Sequence, residues 1–320
     1  MTVTQHDLVV VTPVYEDVEA SSRLFRELVE QFNDRVYLVA VDDGSVKEPV
    51  TVAQLEQAGI SGVVLKLRRN VGHQRAIAIG LGYVAEHASA HQSIVVMDSD
   101  GEDLPNTIPD LLAQLANPHT DVVVAHRKSR VETWRFKAFY AIYKRVFKLM
   151  TGRVIKFGNF MAMKHHAAKR LVSMQELSIH VAGAVLASKL RTEGCELHRG
   201  PRYAGRSKMN FVGLVLHGFK GLMVFAEDVL VRVGIACALV AGLSVSGAVM
   251  AVLLKIAGYS TPGWFSVALG ILVLMLLQTG ALALMTLMLT GVVRSGTVTA
   301  SLAYKEFVDQ VLESRPVKVE

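Results

Sequence analysis

Ile94-Val95-Val96-Met97-Asp98-Ser99-Asp100-Gly101-Glu102-Asp103 is the stretch whose reading decides the fold. A run of apolar, β-prone residues ends in four acids with a glycine among them. The run predicts a buried strand of a parallel sheet, and the acids predict the loop at its carboxyl end. In open α/β sheets that end is where ligands bind. Four carboxylates on one short loop repel one another. The plain reading is a solvated acidic turn. The sharper one is a cation site, because all-oxygen ligation suits Mg²⁺ or Mn²⁺, ions that bridge carboxylates to substrate phosphates.

The surrounding chain alternates strand and helix. Leu8–Thr12 predicts a first strand, ending at Pro13. Leu24, Phe25, Leu28, Val29 and Phe32 place a helix over Glu19–Phe32. Val36–Val41, Gly62–Leu67, Ser93–Met97 and Asp121–Ala125 predict further strands. Helices over Glu48–Ala58, Gly72–His87 and Pro105–Ala116 fall between them. This order predicts an α/β domain with a mostly parallel sheet covered on both faces. Val154–Met163 and Cys195–Arg199 add two expected strands, and His165–Met174 and Val181–Arg191 two helices. Gly80 and Gly82 lie inside a helical pattern, so they predict close helix–sheet packing and not a dinucleotide fingerprint.

The carboxyl-terminal part differs in kind. Of 320 residues 51% are hydrophobic, and the mean hydropathy of +0.36 is too high for an ordinary soluble protein. From Val233 to Val293 the only charged residue is Lys255, and the run breaks at Gly258-Tyr259-Ser260-Thr261-Pro262-Gly263. Each half can cross a hydrocarbon core of about 30 Å, which predicts a two-span helical hairpin. Lys220 and Arg232 precede it, and Arg294 and Lys305 follow, so the positive-inside rule puts both termini in the cytoplasm. The expected localisation is the inner (plasma) membrane, multi-pass, with no cleavable leader at Met1–Asp7. Phe211–Val231 predicts an amphipathic helix on the bilayer surface, and Thr297–Leu312 a cytosolic helix. The organisation expected is a catalytic domain over 1–210, an interfacial helix over 211–232, two spans over 233–294 and a tail over 295–320.

Glu132–Met150 carries Phe136, Phe139, Tyr140, Tyr143 and Phe147 at helical spacing, with Lys137, Lys144 and Lys148 on another face. It fits a core helix with solvated lysines or a helix lying near the bilayer. The net charge of +6 and pI near 9.3 suit anionic lipid head groups as partners. No zinc spacing or RNA-binding signature supports nucleic acid. Cys195 and Cys237 fall in different environments, which excludes a disulfide between them and fits a reducing compartment. Gly242, Ser246 and Gly247 permit tight packing of a span, so a homo-oligomer is one expectation.

Two further loops carry acids: Thr12-Pro13-Val14-Tyr15-Glu16-Asp17 after the first strand and Asp42-Asp43-Gly44-Ser45 after the second. Any one of the three is ordinary turn chemistry. Three at one sheet edge surround a single crevice. Asp42 and Asp43 can accept hydrogen bonds from a base N–H or from ribose hydroxyls, and Tyr15 can stack on a base or bond a ribose. Asp98 and Asp100 can hold a metal and a sugar hydroxyl, the metal clamping a diphosphate.

The order Pro-Val-Tyr, Val-Asp-Asp-Gly-Ser, Asn70-Val71-Gly72-His73-Gln74, Asp-x-Asp and Arg202-Tyr203-Ala204-Gly205-Arg206-Ser207-Lys208 resembles the inverting family 2 glycosyltransferases. Within them it is most similar to the polyprenyl-phosphate sugar synthases of the dolichol-phosphate mannose synthase type. The resemblance runs from about Val9 to Arg232. It implies a GT-A-like domain and assigns Pro13, Tyr15 and Asp42 to the nucleotide. It puts Asp98, Asp100 and Glu102 at a divalent-metal and diphosphate site. Arg127 and Arg135 match basic residues near the diphosphate or the acceptor phosphate, and Arg202, Ser207 and Lys208 fall on a segment covering those phosphates. Asp100, Arg127 and Lys208 are the residues expected to carry catalysis. Glu16-Asp17 departs from the family's Asn-Glu, and Gly101-Glu102 from its Leu-Gln. Arg206 stands where the family has glutamate.

The expected reaction moves a sugar from a nucleotide diphosphate sugar to a polyprenyl phosphate such as undecaprenyl phosphate, with Mg or Mn as cofactor. A UDP-sugar donor ranks ahead of GDP-mannose. The alternatives are transfer to another lipid or polysaccharide acceptor, or a catalytically inactive sugar-nucleotide-binding membrane partner. His73 is expected to shape the donor pocket, and His165-His166 to be exposed.

Overall fold

The computed structural model describes residues 3–127, 134–203, 211–259, 261, 263–296 and 304–314. Its strands are β1 Leu8–Val14, β2 Val36–Asp42, β3 Ser61–Leu67, β4 Ser93–Val96, β5 Val122–Arg127, β6 Met161–Lys164, β7 Thr192–Leu197 and β8 Val308–Glu313. Its α-helices are α1 Val18–Phe32, α2 Val52–Ala58, α3 His73–His87, α4 Ile108–Leu115, α5 Trp134–Thr151, α6 His165–Val172, α7 Val181–Ala187, α8 Phe211–Met223, α9 Ala226–Ile256 and α10 Trp264–Gly296. The chain divides into two compact units. One comprises 1–141, 154–224 and 300–320, the other 142–153 and 225–299.

The first unit is built on one eight-stranded sheet of order β7-β5-β6-β4-β1-β2-β3-β8. β1 runs parallel to both β2 and β4, β2 to β3 and β5 to β7, whereas β6 and β8 run antiparallel to their neighbours. Every residue of β1 and β2 is buried, as expected of parallel strands covered on both faces. Pro13 sits in β1 beyond Val11, where the pairing with β4 ends, so it removes no ladder bond on that side. On one face α1 buries Ala20, Leu24, Phe25 and Leu28, its single apolar stripe. On the other, α3 is buried from Ala76 to Val84. A methyl group at Gly80 would lie 2.5 Å from Val11 and 2.9 Å from Val41, so the glycine sets how closely α3 approaches the sheet.

Several expectations need correction. The helix expected over Phe211–Val231 is divided, α8 ending at Met223 and α9 starting at Ala226. The helix expected over Thr297–Leu312 is, in its described part, a short 3₁₀ turn at Tyr304–Glu306 and then β8. Pairing with the otherwise open edge of β3 outweighs the weak helical pattern of Phe307–Leu312. The strand expected over Val154–Met163 is confined to Met161–Lys164, and the one over Cys195–Arg199 begins earlier and ends at Leu197. Gly158 and the residues around it form a loop, and Arg199 lies past the sheet.

In the second unit α9 and α10 are long and apolar enough to cross a membrane, and they bury few of their side chains. The Lys255 ammonium lies 4.1 Å from the Phe265 ring centre, a cation–π pair. The end of α5 packs here: the Phe147 ring meets Phe225 edge-on at 5.9 Å, and Arg232 Nη1 donates to the Leu149 carbonyl at 2.9 Å. Val146 and Leu149 stay exposed. Cys195 and Cys237 are both buried.

Candidate active site

The carboxyl ends of β4, β1 and β2 lie side by side, pointing the same way, so the three acid-bearing loops meet at one edge. Two of these loops are fixed by their own acids. Asp42 is fully buried and accepts from the backbone N–H of Ser45 and of Val50, each at 2.7 Å. Asp43 accepts from Val71 N–H at 2.7 Å and Gly72 N–H at 3.0 Å, which ties the β2 loop to the start of α3. Burial raises the Asp43 carboxyl above the usual range, partly offset by those two donors. Glu16 occupies the left-handed region at φ 48° and accepts from the N–H groups of Val46, Lys47 and Glu48. Those donors, Val46 first, hold its carboxyl below the ordinary value. Asp42 and Asp43 thus brace the loop after β2 through backbone hydrogen bonds. Tyr15 is 43% exposed beside them.

The third loop is strapped down by a segment from beyond β7. Gly200 N–H donates to the Glu102 carbonyl at 3.0 Å and Tyr203 N–H to the Asp100 carbonyl at 2.9 Å. Arg202 pairs with Asp100 at 2.6 Å, and Arg199 pairs with Glu102. The Tyr203 ring covers Gly101, which sits at φ 86°, and a methyl group there would lie 2.5–2.6 Å from three ring carbons. That contact gives the unusual glycine a reason: only an unsubstituted α-carbon fits under the ring in this conformation. The Tyr203 hydroxyl donates to Glu27, and Arg23 lies over its ring at 4.3 Å. Burial and the neighbouring Asp98 charge raise the Asp100 carboxyl, with Arg202 and Arg199 opposing. Asp103 accepts from Asp98 N–H at 2.9 Å, and the Ser99 hydroxyl donates to the Pro13 carbonyl at 3.1 Å, joining this loop to β1.

His73, the first residue of α3, faces the same loop, with Nε2 3.1 Å from Asp98 Oδ1 and 2.9 Å from Asn159 Nδ2. Burial works against charge on this ring, but the carboxylates of Asp98, Asp100 and Asp103 outweigh it and raise its proton affinity. His180 caps α7 by accepting from Gly183 N–H at 3.0 Å, and its ring centre lies 4.5 Å from that of His217 on α8. Burial and His217 lower the His180 imidazole to about 3.

Among the described residues, no three His, Cys, Asp or Glu side chains are gathered into a metal cage. The donor set nevertheless suits a hard divalent ion. Asp98 and Asp100 share one turn, with Glu102 two residues on, and at present arginine guanidinium groups supply the countercharge for Asp100 and Glu102.

Pro13 and Tyr15 lie at the end of β1 beside the loop of Asp98, Asp100 and Glu102, and Arg202 pairs with Asp100 and Glu102. Arg127 ends β5, opposite Leu197 of β7, and Arg135 lies in α5. The side chains of Arg127 and Arg135, and Ser207 and Lys208 altogether, lie outside the described residues. Arg199 and Asn159 are additions that sequence reasoning passed over, and Tyr203 and Gln74, quoted there only within motifs, gain contacts of their own. A third basic residue just before Arg202 was the available signal for Arg199. Of the histidine pair expected to be exposed, His165 is buried, and His166 lies 3.1 Å from Asp121.

Residues 9–177 match the family described as Glycosyl transferase family 2. The chain is 29% identical over 219 residues to an undecaprenyl-phosphate 4-deoxy-4-formamido-L-arabinose transferase of Enterobacter sp. (strain 638). That match covers 66% of this chain and 64% of the relative's length, so the chain spans less than two thirds of it. It is 25% identical over 282 residues to the uncharacterized glycosyltransferase YkcC of Bacillus subtilis (strain 168), covering 86% of this chain and 84% of that one. Among solved structures it is similar to glucosyl-3-phosphoglycerate synthase from Mycobacterium tuberculosis in complex with Mn²⁺, UDP-glucose and phosphoglyceric acid. The TM-score is 0.49 at 18% identity, over 71% of this chain and 79% of that one.

Proposed function

This chain belongs to glycosyl transferase family 2, and we propose that it moves one sugar from a nucleotide diphosphate sugar to a polyprenyl phosphate, inverting the anomeric carbon. The observation that carries this reading is the joining of two features in one chain. The loops after β1 and β4 carry Tyr15, Asp98 and Asp100 at one sheet edge, with Arg202 paired to Asp100, and the same chain carries two helices apolar enough to span a membrane. A water-soluble donor and a lipid acceptor need both. The similarity to an undecaprenyl-phosphate sugar transferase supports the acceptor class.

In this reading Tyr15 and the loops fixed by Asp42 and Asp43 receive the nucleoside. Asp98 and Asp100, with Glu102 beside them, hold a divalent cation whose charge neutralises the departing diphosphate. Arg202 and Lys208 lie on the segment that covers the phosphates, and Arg127 and Arg135 serve the acceptor side. An oxygen of the acceptor phosphate monoester attacks the anomeric carbon as the bond to the diphosphate oxygen breaks, and the nucleoside diphosphate leaves. A phosphate monoester is already nucleophilic near neutral pH, so the protein's work is alignment and charge placement. UDP is the expected nucleotide. Asp100→Ala is expected to abolish transfer while membrane insertion is retained, and undiminished transfer by this variant contradicts the assignment. A thermal-shift panel of sugar nucleotides with Mn²⁺ identifies the base, the matching donor giving the largest stabilisation.

A further inference from the structure

A chain of three side chains runs from the start of α7 into the candidate cation site, and its direction is set at one end by a group that can only donate. Val181 N–H, one of the donors at the start of α7 with no partner inside the helix, donates to Gln74 Oε1 at 2.7 Å. The Gln74 amide is therefore fixed with its Nε2 toward Asn159, where it donates to Oδ1 at 3.1 Å. Asn159 is fixed in turn, and its Nδ2 faces His73 Nε2 at 2.9 Å. A nitrogen that receives an amide N–H has no proton of its own, so the neutral His73 ring carries its proton on Nδ1.

This leaves an unusual pair. His73 Nε2 and Asp98 Oδ1 are both acceptors, 3.1 Å apart. A proton added at Nε2 would meet the Asn159 amide hydrogens. Two ligands each about 2.1–2.2 Å from an octahedral ion, at right angles, sit about 3.0 Å apart. The 3.1 Å found here is a hydrogen-bond distance and also fits two neighbouring ligands of one metal ion.

We propose that Gln74 and Asn159 are positioning residues that present His73 Nε2 as a nitrogen ligand to the divalent cation, shared with Asp98. This rests on the cation site of the reading above and adds to it. An imidazole ligand moves the site's preference from Mg²⁺ toward Mn²⁺ and other transition ions. Asn159 and Gln74 fix the tautomer, a role whose loss in other metal sites weakens binding about 10–100-fold.

The test uses the full-length protein in detergent, with Mn²⁺ alone and Mn²⁺ plus UDP, read by Mn²⁺ titration and by pulsed electron paramagnetic resonance for ¹⁴N coupling. The wild type is expected to show coupling to one imidazole nitrogen, absent in His73→Gln. Asn159→Asp keeps the side chain's shape but reverses the relay, because its carboxylate calls for a proton on His73 Nε2. It is expected to lose the coupling and to bind Mn²⁺ about 10–100-fold more weakly, although it adds a negative charge. Gln74→Glu reverses the same relay one step earlier and is expected to do likewise, so misfolding of either variant leaves the other to decide. Melting in EDTA serves as the folding control. Coupling retained in both variants, or Mn²⁺ bound more tightly by Asn159→Asp, overturns the relay. Mn²⁺ bound by the wild type without nitrogen coupling overturns the relay alone. No Mn²⁺ bound with UDP present overturns the cation site and the relay with it.

Discussion

At the residue scale the acidic loop is a charge problem solved from elsewhere in the chain. Asp98–Asp103 could be read from the sequence because its acids are clustered and follow an apolar run. Its supports could not: Arg199, Tyr203 and Asn159 carry no periodic signal, and only the folded chain brings them to the loop. Gly101 stood out as a departure from its relatives, but its cause, the Tyr203 ring, is a tertiary contact. Gly101→Ala should cost about 1–3 kcal/mol, from left-handed strain and the displaced ring, and should weaken nucleotide binding. Chemical denaturation and a nucleotide titration measure the two effects. His180 offers a pH test, with His217 and Lys220 the groups that bear on it. Its imidazole titrates near 6.5 unfolded and at about 3 folded, so the unfolded chain takes up a proton that the folded ring refuses. Its contribution to stability is complete above about 6.5 and drains as pH falls toward about 3, by up to about 1.4 kcal/mol per unit. His180→Asn, which keeps a capping oxygen, should flatten that part of the profile.

At the element scale the parallel strands and their helices were legible because period and burial agree: β1 and β2 are buried throughout, and α1 has one stripe. β8 was not. Its pattern of burial is weak, since it is an edge strand with one partner, and the partner precedes the apolar helices. What holds it is specific. Tyr304 packs against Gly82 and donates to Glu86 at 2.9 Å, and Ser314 accepts from Gly62 N–H at 2.9 Å. Tyr304→Ala should therefore destabilise the sheet unit by about 3 kcal/mol or more. A urea titration followed by circular dichroism tests this, and an unchanged midpoint would show that β8 adds nothing to the edge.

At the scale of the whole molecule, β8 constrains topology. The chain leaves the sheet unit near Val224, passes through α9 and α10, and returns to pair with β3. If both helices cross the bilayer, an even number of crossings must separate the two ends, so the catalytic unit and both termini share one side. Tags at either terminus should be digested in inverted inner-membrane vesicles and protected in right-side-out ones. Opposite accessibility of the two tags would contradict the hairpin. The central claim is that the site at the strand ends of this sheet hands a sugar to a lipid phosphate. The most direct measurement supplies the purified full-length protein with a panel of radiolabelled nucleotide sugars, Mn²⁺ and undecaprenyl phosphate, then follows the label into the organic phase. The account expects one donor to yield a lipid-linked product that appears only with the polyprenyl phosphate and disappears in Asp100→Ala. Label that stays in the aqueous phase with every donor, or reaches lipid equally well without the acceptor phosphate, would contradict it.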